Sequence, residues 1–174
     1  VLAVTTVVPD AHTVPHPTPT PTPPPDPATL APLYAHMPSV VDRRPQAIAD
    51  VVTTLNRTAH TYRYGCLAAV HVGVPVRVGL ARNGTWILVN PRVVDVGPRL
   101  SKGHERSAFY PHEPPCRMRR FWPVTVVHDR WDNDDDDDDD LTSMTTVVRD
   151  RATVHCVMHL LDQFEGRTPC APRR

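Results

Sequence analysis

The stretch Met144-Thr-Thr-Val-Val-Arg-Asp-Arg-Ala-Thr-Val-His155-Cys156-Val-Met158-His159-Leu-Leu161 carries the strongest signal in this chain. It runs eighteen residues without Gly or Pro, and Val147, Val148, Ala152, Val154, Val157, Met158 and Leu161 give it a broad apolar surface. The pattern predicts one helix over 144–161, long enough to cross a small domain at ~1.5 Å rise per residue. On such a helix His155 and His159 lie one turn apart on the same face. Both imidazoles can then reach a single metal ion, although two histidines at this spacing also occur as packed or surface residues.

Working outward, Ile48, Val51, Val52, Leu55 and Ala59 recur at steps of three and four, which predicts a helix from Pro45 to about Tyr62. The period then changes. Cys66–Val78 and Trp86–Val94 are rich in Val, Ala and Leu and are punctuated by Gly73, Pro75, Asn83-Gly84 and Asn90-Pro91, which predicts strands joined by turns. Val124–His128 reads as a third strand. The expectation is an α+β domain with small strands packed around a C-terminal metal-bearing helix.

Two segments fall outside that pattern. Residues 1–33 hold ten of the chain's twenty-one prolines, and the segment PHPTPTPTPPPDP is expected to be an extended, disordered arm, since proline fixes φ and removes a donor. The domain is then assigned to 34–174. Within it, residues 132–140 include seven consecutive Asp, whose mutual repulsion and desolvation cost predict a solvated loop insertion. The chain of 174 residues carries nineteen basic and nineteen acidic groups, so without that run the remainder is net +7. Lys102 is the only Lys, and Glu105, Glu113 and Glu165 are the only Glu.

Composition excludes several classes. No window approaches the ~20 apolar residues of a membrane helix, so no membrane partner is expected. The apolar opening lacks a basic leader and breaks at Pro9, which argues against a secretory signal and for a cytoplasmic location. Cys66, Cys116, Cys156 and Cys170 are widely spaced without a CxxC pair, so neither a disulfide scaffold nor a zinc ribbon is expected. Arg117, Arg119, Arg120, Phe121 and Trp122 could meet phosphate or a nucleic-acid backbone. The acidic run opposes polyanions, and no nucleic-acid partner is expected. His104, His112 and His128 have no partner at fixed spacing and are expected to be solvated.

Taken in order, these landmarks resemble the peptide deformylase family. Tyr64-Gly-Cys-Leu-Ala-Ala-Val-His-Val-Gly73 is similar to its Gly-x-Gly-Leu-Ala-Ala-Pro-Gln-x-Gly segment, and Ile87-Leu-Val-Asn-Pro91 to its strand with Asn-Pro. Glu105-Arg-Ser-Ala-Phe-Tyr-Pro111 falls on its Glu-Gly-Cys-Leu-Ser segment, and His155–His159 on its His-Glu-x-x-His helix. The resemblance covers roughly residues 47–161 and implies a metal-dependent hydrolase that removes a formyl group from an N-formylated peptide or related amide.

The resemblance also marks what has changed. In the family two His and a Cys hold the metal, the Glu between the His is general base and acid, and a Gln donates to the developing oxyanion. At the matching positions stand Ser107 for the Cys, Cys156 for the Glu and His71 for the Gln. A Ser hydroxyl is a poorer ligand than a thiolate, and losing the Glu removes a proton shuttle worth ~10²–10⁴ in rate. The expectation is therefore altered or weak activity, with His71, Cys156 and Ser107 as catalytic candidates. In one rearrangement His71 joins His155 and His159 as a three-histidine set for a divalent metal, zinc or iron. In another Cys156, with Met158 nearby, makes a softer site suited to copper or zinc, against plain core packing of both residues. A catalytically degenerate homologue, acting as a binding protein or recruited to specialised metabolism, is the alternative. The partner expected is a small formylated peptide or amide, and the oligomeric state is open.

Overall fold

The computed structural model describes residues 45–131, 142–167 and 169–170. The proline-rich arm, the start of the domain before residue 45 and the acidic insertion lie outside the described residues. Helix α1 (Pro45–Tyr62) occupies the span its periodicity predicts, and Ile48, Val52, Leu55 and Ala59 form its buried face. Five strands follow: β1 (Leu67–Ala68), β2 (Val78–Ala81), β3 (Trp86–Glu105), β4 (Cys116–Asp129) and β5 (Ser143–Val148). They form one antiparallel sheet in the order β1-β2-β3-β4-β5. Helix α2 (Arg151–Phe164) closes the described fold.

Three expectations change. Of the span Cys66–Val78, only Leu67, Ala68 and, at the start of β2, Val78 pair in the sheet. Ala69–Val72 coil into a short 3₁₀ turn that Gly73 ends at φ +82°, a backbone state open to glycine, and the turn drives Ala69, Val70 and His71 into the interior. The second strand runs on to Glu105, because Pro91 and Pro98 sit where the β3–β4 register shifts and no ladder bond is required of them. The expected helix over 144–161 is divided. Thr145, Thr146, Val147 and Val148 are β-branched and pair with β4, while Asp150 Oδ2 accepts from the Thr153 N–H at 2.7 Å and starts α2 at Arg151.

The core lies between the sheet and the two helices. On α2, Val154, Val157, Leu160, Leu161 and Phe164 pack on Ala81, Leu88, Val124, Val126 and Val148. Burying each large side chain contributes about 1.5–3 kcal/mol. Gly79 lets β2 approach α2 closely, since a Cβ there would lie 3.0 Å from Leu160 Cδ1 and 3.2 Å from Phe164 Cζ.

All four cysteines are paired, Cys66 with Cys156 and Cys116 with Cys170, contrary to the sequence expectation. The partners lie 90 and 54 residues apart. Local spacing holds no trace of either bond, because the fold rather than the sequence interval brings the sulfurs together. The first bond ties the segment after α1 to the middle of α2.

Candidate functional site

Residues two apart on a strand share a face, so Ser101, Gly103 and Glu105 of β3 turn inward toward α2. Arg120 stands opposite Ser101 in the β3–β4 register and also points inward. Along α2 the steps 155, 159, 162 and 163 line one buried stripe of His155, His159, Asp162 and Gln163. Strand arm and helix stripe meet at Glu105, which is 6% exposed.

Glu105 organises this cluster. Arg120 donates to both of its oxygens, Nε to Oε1 at 2.8 Å and Nη2 to Oε2 at 2.7 Å, and donates from Nη1 to Asp162 Oδ2 at 2.6 Å. His155 Nδ1 donates to Oε1 at 2.7 Å, and His159 Nδ1 to Oε2 at 3.0 Å. Burial is the largest influence on this carboxyl and pushes its pKa up. The hydrogen bonds from Arg120, His159 and His155 together outweigh burial and hold the pKa at about 2.

The tautomers of His155 and His159 follow from Glu105. With its Nδ1–H donating to the carboxylate, His159 turns Nε2 to the side-chain amide of Gln163, 3.0 Å away. The Gln163 side-chain amide also lies 3.2 Å from His71 Nε2. His71 Nδ1 accepts from the Ala68 N–H at 2.9 Å, so the proton of this ring sits on Nε2. His71 is 1% exposed and stacks at 4.0 Å on Phe109. Burial foremost, and then the neighbouring His159, push its pKa down to about 3, so it is neutral across the physiological range. Gln163 Oε1 is left buried without a partner.

Each expected site residue can now be placed. His71 does turn inward, but the Gln163 amide stands between it and His159. Cys156 is removed from both catalytic and metal roles, because its sulfur is bonded to Cys66 and offers no thiolate. Met158 packs, half-buried, against the core beside it. Ser107 is buried, and its Oγ accepts from the Phe109 N–H at 3.3 Å, a local turn contact. His104 and His112 are exposed as expected, whereas His128 is not solvated. It is 4% exposed, bonds Thr146 Oγ1 at 3.2 Å and meets the Trp86 ring edge-on, since β5 covers it. The Arg cluster splits, with Arg120 inward and Arg117 and Arg119 outward.

The donor set does not fit a metal ion as folded. The three imidazole Nε2 atoms do not converge on an open point: those of His71 and His159 meet the Gln163 amide, and that of His155 meets the Ser101 hydroxyl at 3.3 Å. A Cβ on Gly103 would lie 2.7 Å from His155 Nε2, so the β3 backbone passes directly over that nitrogen. Among the described residues no three His, Cys, Asp or Glu side chains are grouped to hold a metal. Glu105, Arg120, Asp162 and Gln163 were not anticipated as site residues. The i+3 and i+4 steps from His159 to Asp162 and Gln163 were the available signal; nothing local announced that Glu105 and Arg120 would face them.

No protein-family profile matches the chain, and no curated protein sequence does. Solved structures do. Peptide deformylase from Ehrlichia chaffeensis superposes with a TM-score of 0.72 at 18% identity over 86% of each chain. The class I type b peptide deformylase from Acinetobacter baumannii gives 0.70 at 17% identity, over 84% of this chain and 94% of that one. The enzyme of the Vibrio parahaemolyticus bacteriophage VP16T, in complex with actinonin, gives 0.64 at 22% identity, over 78% and 92%. The chain has a peptide-deformylase-like α+β fold. Among the described residues, helix α1, the strand with Asn-Pro and the helix with the two histidines stand in the order that the resemblance implied. No helix among the described residues is long and apolar enough to cross a membrane.

Proposed function

We propose that this chain is a deformylase-fold protein that binds an N-formylated peptide or related amide without hydrolysing it. The reading rests on one observation above the others: Cys156, at the position where the resemblance places the general base, is half of a disulfide with Cys66. A disulfide sulfur neither takes nor gives a proton. The buried Glu105–Arg120–Asp162 ion cluster and the amide bridge of Gln163 support the same reading, because they satisfy the histidines internally. Peptide-like ligands are the natural class, given that a fold neighbour is known with actinonin bound.

A hydrolase with zinc or iron on His155 and His159 is the second reading. One observation favours it: Glu105 takes both Nδ1 protons and leaves both Nε2 atoms in the tautomer a metal accepts. One experiment separates the two. Formate release from an N-formylmethionyl peptide is followed with added zinc, iron(II) or copper, beside calorimetric titration of that peptide into chelated protein. Binding that chelation does not change, with no formate above buffer, is expected. Metal-dependent formate release that disappears in His159→Ala would refute binding without catalysis and establish the second reading.

A further inference from the structure

The β3–β4 register sets Lys102 opposite Arg119 and His104 opposite Arg117. All four side chains are exposed on the outer face of the ribbon, away from Glu105 and Arg120. Like charges directly across a ladder are destabilising, so the Lys102–Arg119 pair costs free energy while the face is bare. Arg120, the neighbour of Arg119, shows how the chain treats a cation it pairs internally, with two carboxylates at 2.6–2.8 Å. Among the described residues no comparable ion pair joins Lys102, Arg117 or Arg119. With Gly103 and Met118 these four residues line a cavity of about 600 Å³, and among the described residues no acidic side chain lines it.

We propose that this cavity binds a compact polyphosphate anion, the class of inorganic triphosphate and of the phosphate tail of a nucleoside triphosphate. Two Arg forks suit bidentate phosphate contact, Lys102 supplies a point charge, and His104 adds ring donors. The cavity is of the size that small ligands occupy. The charges span only two residue steps along each strand, about 7 Å, which matches a few adjacent phosphates rather than a long backbone. A single strand would also need a stacking platform. Here the Trp122 ring is held between Arg99 and Arg151, at 5.4 and 5.2 Å, and only Phe121 stands free on that face at 50% exposure.

Lys102 is the only lysine, so amine acylation read by peptide mass spectrometry reports directly on this cavity. In the full chain, sub-millimolar inorganic triphosphate is expected to slow Lys102 acylation about tenfold, a difference of ~1.4 kcal/mol at this residue. Orthophosphate, and sodium chloride at matched ionic strength, should leave the rate unchanged. Adenosine triphosphate in place of triphosphate tells whether a base is accepted. Arg117→Gln/Arg119→Gln should abolish protection with an unaltered or higher melting temperature, since repulsion is relieved. Should that variant misfold, calorimetric titration of triphosphate into Lys102→Gln serves instead, with an expected tenfold weaker binding. Absence of protection, or equal protection by sodium chloride, overturns the proposal. It is equally overturned if an oligodeoxythymidine strand or phosphatidylglycerol vesicles protect at tenfold lower concentration than triphosphate, because the face would then serve a macromolecule or a membrane.

Discussion

Replacing Glu105 by Gln removes one buried negative charge at nearly constant volume, and the structure sets the cost by two routes. Arg120 loses its bidentate partner and keeps only Asp162, and His155 and His159 lose the acceptor that fixes their Nδ1 protons. Breaking a buried ion pair from one side costs about 3–5 kcal/mol. Independently, a carboxyl held at about 2 instead of 4.5 stabilises the native state by about 3 kcal/mol at neutral pH. The two figures agree, and for a domain of this size about 3 kcal/mol lowers Tm by roughly 6–12 °C. The sign with pH follows from a depressed acid. Its contribution is present above the unfolded value of 4.5 and is lost as pH falls from 4.5 to about 2. Urea unfolding monitored by Trp fluorescence at pH 7, 4.5 and 2.5 should show the gap between native protein and Glu105→Gln at about 3 kcal/mol, then narrowing toward zero. A gap below about 1 kcal/mol at pH 7, or one unchanged at pH 2.5, would refute the assignment of Glu105 as the organiser of the site.

His71 makes a separable contribution. Its pKa falls from 6.5 to about 3 on folding, so its stabilisation is complete above pH 6.5 and is lost toward pH 3 at up to about 1.4 kcal/mol per pH unit; His71→Gln should flatten the stability profile between pH 6.5 and 4.5, where Glu105 is silent. Closing a chain interval of 90 residues predicts that Cys66→Ala/Cys156→Ala loses about 4–5 kcal/mol in the same urea assay. Thiol titration of unfolded, unreduced protein should find no free thiol before reductant and four after it; a count of four without reductant would remove the staple.

How much of the site was legible varies residue by residue. His155 and His159 were found because helix geometry converts a four-residue interval into proximity, and that conversion is local. The inward turn of His71 was open from the sequence, and its partner was not: Gln163 lies 92 positions away. The loss of the motif Glu was legible as a substitution, yet the fate of Cys156 depended on Cys66, at a distance that spacing rules do not cover. Arg120 shows the opposite failure. Grouped with Arg117 and Arg119 by adjacency, it belongs to the other face of β4, because successive side chains on a strand alternate.

By itself the sequence determined the α1 boundaries, the order of the motif landmarks and the resemblance to deformylases, since periodicity, turn residues and motif order are written in local intervals. Tertiary structure decided where helix gave way to strand at Ser143–Val148, because pairing with β4 outweighed the propensity of an uninterrupted run. It alone decided that the two histidines rest on Glu105, that Cys156 is sealed by Cys66, and that four basic side chains from two strands share one cavity. Each of these depends on which distant residue the register or the helix packing brings close, and hydrogen bonds act only at about 3 Å.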